Sequence, residues 1–336
     1  MESSENEVNR MFRYIIKRLL LMIPILLGVL VILFTLSEIT PGDPVDSLVA
    51  TGATLEEREA LRETLGLNDP VYVRFIKYVV GVCKGDLGTS YKTHQPVWSE
   101  VKLRLPYSLT ITFSAVFLAV LTGVPIGILS ALKQYTWIDN ALLAICMFLL
   151  SIPQFCMGLF FIYLFSVRWS ILPAFGITDW TGFILPILVV MLCCGSSYAR
   201  ISRSSMLEVM RQDYVKTARA KGQHERVVVF RHMLKNALIP IIASIGNDIG
   251  GQLGGALILE TVFGVPGCGK YIADAIMSRN YPCVLGGVFV LAFLFSIINL
   301  IVDIVYVIVD PRLKTSIVID TMKQRRKVGR EAKAHG

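Results

Sequence analysis

The sequence predicts an all-α polytopic membrane protein with six transmembrane helices, and two observations carry that prediction. Hydrophobic residues make up 54% of the 336 residues against 17% charged ones, and the mean hydropathy is +0.61, too apolar for a chain that water alone solvates. Six stretches come close to the roughly 20 apolar residues a spanning helix needs: 19–36, 106–132, 140–167, 181–199, 237–259 and 282–302. In hydrocarbon every backbone N–H and C=O must be satisfied within its own segment, so these runs read as helices and not as strands.

The first run follows the basic residues Arg13, Lys17 and Arg18, as a secretory signal would. Its apolar core exceeds the roughly 7 to 15 residues of a signal, however, and Ser37-Glu38-Ile39-Thr40 offers no small-x-small cleavage site, so it is expected to remain as an anchor. The loop from Ser37 to Leu105 carries structure of its own. Thr54-Leu55-Glu56-Glu57 reads as a capping box, Leu61 and Leu65 share a face, and Gly66 supplies a stop. A second amphipathic helix is predicted from Pro70 to about Gly81, with Val71, Phe75 and Val79 on one side. Turn chemistry follows at Gly85-Asp86-Leu87-Gly88, and Val97, Val101 and Leu105 predict an amphipathic approach to the second span. Such a folded cap receives a partner or shields helix ends.

The long loop between the fourth and fifth spans, about 202–236, predicts a short helix. Asp213 is a suitable N-cap, Tyr214 and Ala218 stack at i and i+4, and Gly222 stands where a C-terminal glycine belongs. Ala218, Ala220 and Gly222 keep one face small. A socket in another protein could grip such a helix; an ordinary basic loop beside anionic lipid is the plainer alternative.

The fifth span repeats glycine at every fourth residue, Gly246, Gly250 and Gly254, with Gly251 and Gly255 one step round. Small residues at that spacing let helix backbones approach. Asn247, Asp248 and Gln252 add polar groups at membrane depth, where they are expensive, so they should face the protein interior or a wet cavity. Hydrogen bonding between helices and a place on a substrate path are both open for them.

Orientation follows from the Lys and Arg. With both termini cytoplasmic, the inside segments hold 22 of the 33 basic residues, including 9 between Arg200 and Lys235, and 8 of the remaining 11 sit in the 37–105 loop, where 10 acidic residues offset them. The formal charge of +8 is therefore membrane topology and not a nucleic-acid footprint.

No catalytic chemistry can be assigned. Gly264-Val265-Pro266-Gly267-Cys268-Gly269-Lys270-Tyr271 nearly matches the phosphate-binding pattern GxxxxGK[ST], but Tyr271 replaces the hydroxyl that holds Mg²⁺ and Pro266 leaves no strand-to-helix frame. His94, His224, His232 and His335 all fall outside the spans, Ser196 and Ser197 have no base, and Asp248 and Asp303 share no motif. The 7 cysteines form no metal-ligand spacing. Cys268 and Cys283 both fall on the outer side, where a disulfide is one option.

Several passages, taken in order, resemble the dipeptide and oligopeptide family of ABC-importer permeases, on the member of the pair with the long first outside loop. They are Pro41-Gly42-Asp43-Pro44, Gly85 to Ser90, Ser151-Ile152-Pro153, Asp213 to Gly222, Arg231 to Pro240, Glu260 to Gly267 and Asp310-Pro311-Arg312. The resemblance implies a type I ABC-importer permease fold in the inner cell membrane. It divides the chain into a tail (1–12), a first span with its extracytoplasmic loop (13–105), a five-span core (106–312) and a basic tail (313–336).

It also implies that Asp213, Tyr214, Lys216, Thr217, Ala218, Arg219, Lys221 and Gly222 form the coupling loop that docks on an ATPase. The match there is partial: Lys216 and Thr217 stand where the short EAA-x-x-x-G consensus has Glu and Ala, while Ala218 and Gly222 fit. The implied partners are a homologous second permease in a heterodimer, two ATPase subunits that bind ATP and Mg, and an extracytoplasmic substrate-binding protein. The chain itself would bind no cofactor and no metal. Peptides are the expected cargo, with glutathione or nickel as the alternative within the family. A stand-alone channel or secondary carrier is a reading of a different kind, and a membrane enzyme a third.

Overall fold

The computed structural model describes residues 2–40, 42–49 and 54–309. Pro41, the Asp310-Pro311-Arg312 motif and the basic tail 313–336 lie outside the described residues. Among those described, every regular element is a helix, and one isolated bridge pairs Thr89 with Pro96.

Helix α1 (Glu2–Ile39) contains the first span, Ile15–Ile39. The cap follows it. Helix α2 (Leu55–Thr64) begins with the expected capping box, in which Glu57 N–H donates to Thr54 Oγ1 at 3.2 Å and Thr54 N–H to Glu57 Oε2 at 2.9 Å. Gly66 stops it at φ +65°. Arg58 and Arg62 tie α2 to Asp46 (2.7 Å) and Asp43 (2.5 Å) in the preceding turn. Helix α3 (Val71–Cys83) runs two residues past the predicted Gly81. Its Phe75 meets Phe34 of α1 edge-on at 5.3 Å, and Arg74 pairs with Glu38.

The predicted approach to the second span and the span itself are one helix, α4 (Val97–Leu132), with Val97 and Val101 fully buried at its start. The third span departs from the expectation of one helix over 140–167. It consists of α5 (Trp137–Ser151) and α6 (Gln154–Phe161), the latter continued as a π-helix to Arg168, and the two halves are bent by 96°. Pro153 is the cause: it disfavours helical geometry in the residue before it, and Ile152 is extended at φ −89°, ψ 123°.

Helix α7 (Ile184–Met210) carries the fourth span eleven residues beyond Ala199, into the expected 202–236 loop. Helix α8 (Asp213–Ala220) and the three-residue α9 (Glu225–Val227) follow. A π-helical stretch, Val228–Met233, leads directly into α10 (Leu234–Val262). Helices α11 (Cys268–Met277) and α12 (Tyr281–Val309) complete the described chain. Among the described residues, five helices are long and apolar enough to cross a membrane, and a sixth is reached if the bent α5–α6 pair counts as one span.

The bundle closes around a crossing of α4 and α7 so tight that it depends on glycine. A Cβ on Gly123 would stand 2.2 Å from the Gly195 carbonyl oxygen, and one on Gly127 would stand 2.3 Å from that of Ala199. Small residues here let the two backbones touch, which is how helices associate where lipid removes the hydrophobic driving force. Tyr198, Val189, Val190 and Ile241 fill the middle of the bundle. Separate clusters close its two ends, one around Val97, Val101, Cys268 and Cys283, the other around Met206, Val215 and Met233. All seven cysteines are free thiols, Cys268 and Cys283 included, so no disulfide joins those two.

Candidate functional site

The predicted helix of the 202–236 region is present as α8, eight residues long. Gly222 ends the segment at φ +72°, a conformation open to glycine at little steric cost. The expected N-cap is displaced by one residue. Gln212 takes the extended N-cap backbone without a side-chain cap, and Asp213 stands in the first turn. There its carboxylate accepts from Lys216 Nζ at 2.9 Å. That neighbour holds the Asp213 carboxyl below the usual carboxylate range, and a negative charge suits a helix N-terminus.

The inward face of α8 is Val215 and Ala218, both buried. They belong to one buried cluster with Ala131 of α4, Met206 of α7, Val228, Val229 and Met233 of the π-helical stretch, and Ala237 of α10. Ala218 therefore belongs to the bundle's own seat, while Ala220 and Gly222 are exposed, so the three small residues do not share one free face. Polar pins hold the outer rim. The Tyr214 hydroxyl accepts from Asn236 Nδ2 at 2.9 Å, Arg219 grips Glu225 at 2.6 and 3.2 Å, and His232 meets Gln223 at 2.8 Å. Asp213, Tyr214, Lys216, Thr217, Arg219, Lys221 and Gly222 remain exposed on the surface of the seated helix.

The same end of the bundle holds a cluster the sequence reading did not find. Asp139, fully buried, receives Arg203 at 2.7 and 2.8 Å, the Ser130 hydroxyl at 2.5 Å and the Tyr135 backbone N–H at 3.0 Å. A buried charge is tolerable when paired and fully hydrogen-bonded. The pair locks the start of α5 to α7, one turn from Met206 in the α8 seat. Its two charges are 64 residues apart in sequence, and no local spacing announces them.

The polar residues of the fifth span divide between two environments. Asp248 is half-buried and accepts from the Ser244 hydroxyl at 3.4 Å, and Gln252 reaches Cys194 of α7 at 3.5 Å. Asn247 is exposed. The glycines divide as well. A Cβ on Gly246 would meet Val302 at 2.5 Å and one on Gly250 would meet Phe295 at 2.1 Å, so these two serve close contact with α12. Gly251 and Gly254 have nothing within 4 Å of that position and, with Asn247, form an open face of α10. The surroundings of Gly255 lie outside the described residues.

The segment resembling a phosphate loop is the N-terminus of α11, and it is already occupied by the chain's own groups. The buried Glu260 carboxylate accepts from Lys270 N–H at 2.9 Å and from the Ser108 hydroxyl at 2.6 Å, while Cys268 N–H donates to Ser108 Oγ at 2.9 Å. A Cβ on Gly267 would lie 2.3 Å from Glu260, so glycine is what lets the carboxylate fit. Burial pushes the Cys268 thiol up to about 12.

Two family patterns match the chain: residues 123–315 match the binding-protein-dependent transport system inner membrane component, and residues 11–112 match the N-terminal region of such membrane components. The dipeptide transport system permease protein of Alkalihalophilus pseudofirmus is 37% identical over 332 residues, covering 90% of this chain and 100% of that protein. The glutathione transport system permease protein of Salmonella paratyphi A is 36% identical over 304 residues, covering 90% of this chain and 99% of that protein. Among solved structures, the inward-facing MetNI methionine ABC transporter has a chain that superposes with a TM-score of 0.51 at 19% identity, covering 62% of this chain and 96% of that one, a likeness of fold.

Proposed function

Because this chain belongs to the family of binding-protein-dependent transport system inner membrane components, we propose that it carries small peptides through the inner membrane while α8 receives the force of a separate ATPase. It is a multi-pass inner-membrane permease subunit of an ABC importer, and such a subunit works with a second permease, ATPases and a substrate-binding protein.

The observation that carries the coupling role is the seat of α8. Its buried residues contact α7 and the π-helical stretch leading into α10, and they share one buried cluster with Ala131 of α4. A push on its exposed face is therefore delivered to three spans together, which is what a two-state bundle needs if it is to be biased from one end. The exposed residues from Asp213 to Gly222 would meet an ATPase on the cytoplasmic side, where ATP and Mg bind to that partner. A homologous permease would cover the open α10 face of Asn247, Gly251 and Gly254 or leave it wet as part of the cargo path, since bare lipid is a poor solvent for an asparagine side chain.

The relatives support a peptide cargo: one is named for dipeptides and one for glutathione, itself a small peptide. Cells carrying the whole transporter should take up labelled dipeptide, with excess unlabelled dipeptide, glutathione or Ni²⁺ added in turn. Competition by dipeptides supports the reading. Competition by Ni²⁺ alone overturns the peptide assignment.

A further inference from the structure

Helix α3 carries more apolar surface than the bundle covers. Tyr72, Ile76 and Val80 are 68%, 58% and 46% exposed and follow one another at every fourth residue, which places them in one stripe. The charges lie off that stripe and are engaged elsewhere, Arg74 with Glu38 and Lys77 with Asp69 at 2.6 Å. A 13-residue helix is too short to cross a bilayer, and an apolar stretch of that length reads as a core or interfacial segment. This one is not in the core, since none of its residues is buried.

The level of α3 can be read from α1. The apolar span ends at Ile39, and Glu38, paired with Arg74, marks the polar boundary. One turn below it, Phe34 packs against Phe75, about 7 Å inside the end of the span at 1.5 Å per residue. The neighbouring residues Arg74 and Phe75 both contact α1, at Glu38 and Phe34, which sets α3 against α1 at that level. Interfacial helices bury their apolar face about 5–10 Å into the boundary between headgroups and acyl chains, and tyrosine is enriched there.

We propose that α3 lies in the membrane interface beside the first span, with Tyr72, Ile76 and Val80 sunk in lipid and Lys77 turned toward water. The bilayer is then the partner of this surface, and the cap formed by α2 and α3 is held down on the membrane.

The test places a nitroxide label at Ile76→Cys, and separately at Tyr72→Cys and Lys77→Cys, after the exposed Cys83 and Cys156 are replaced by serine. The full transporter is reconstituted in vesicles of phosphatidylethanolamine and phosphatidylglycerol, and label collision with oxygen is compared with that of a water-soluble nickel chelate. Labels at 72 and 76 are expected to favour oxygen at least threefold over the label at 77. Equal preference for the nickel chelate at all three positions overturns the proposal by placing α3 in water. Labels at 72 and 76 shielded from both reagents overturn it by placing another protein on the stripe.

Discussion

Glycine decides packing at two places in this bundle, and the residues behave differently. At the α4–α7 crossing any side chain on Gly123 must push against the Gly195 backbone, which cannot swing aside as a side-chain tip could. Gly123→Leu is therefore expected to destabilise the chain by about 1–3 kcal/mol, read as a lower midpoint of thermal unfolding in detergent. Gly251→Leu meets open space and should leave that midpoint unchanged, while impairing uptake in the assembled transporter. The Asp139–Arg203 pair gives a second residue-scale outcome: Arg203→Met strands a fully buried carboxylate and should cost about 3–5 kcal/mol in the same assay. Asp139→Asn made together with it should recover much of the loss. Cys268, buried and held as a thiol well above neutral pH, should resist a maleimide in the native chain, and all seven cysteines should react after denaturation without reductant. Fewer than seven would reveal a disulfide. Close packing at Gly246 and Gly250 follows from the local GxxxG pattern, whereas Gly251 and Gly254, which belong to the same repeats, face open space. Gly123 and Gly127 carry the same spacing, and a count of that pattern along every span would have found them. Asp139 and Arg203 were not legible, because only the fold brings charges 64 residues apart together.

At the scale of elements, local sequence signals specify caps and stops, while long-range contacts decide how far helices run. The capping box at Thr54, the glycine stops at Gly66 and Gly222, and the two turns of α8 are matters of neighbouring residues, and each is present. The break at Pro153 was available in the sequence as a proline in mid-span, but apolar length alone was read as one helix. The extent of α7 is longer for a related reason: the apolar run ends at Ala199, whereas Arg203 is paired with Asp139 and the helix continues to Met210. Helix α8 supplies the prediction at this scale. Thr217 is exposed on the side away from the seat, so Thr217→Trp should leave insertion and thermal stability intact while lowering uptake at least tenfold. Ala218→Glu, which drives a charge into the seat, should lower both. Full uptake with tryptophan at 217 would remove the docking role from that face.

In the turn at Gly264 to Tyr271, nearest in sequence to a nucleotide site, the Cys268 and Lys270 backbone N–H groups are committed to Ser108 and Glu260, which supports the proposal that energy reaches this chain through another subunit. Liposomes containing this chain alone should accumulate no dipeptide, whether or not ATP is present; accumulation there would mark a self-sufficient carrier. The most direct measurement places a photoreactive benzophenone amino acid at Thr217 in the assembled transporter, illuminates it, and identifies what is captured. An adduct with the nucleotide-hydrolysing subunit, accompanied by loss of uptake, is the predicted result. Capture of lipid or the substrate-binding protein in its place, with uptake undiminished, would contradict it.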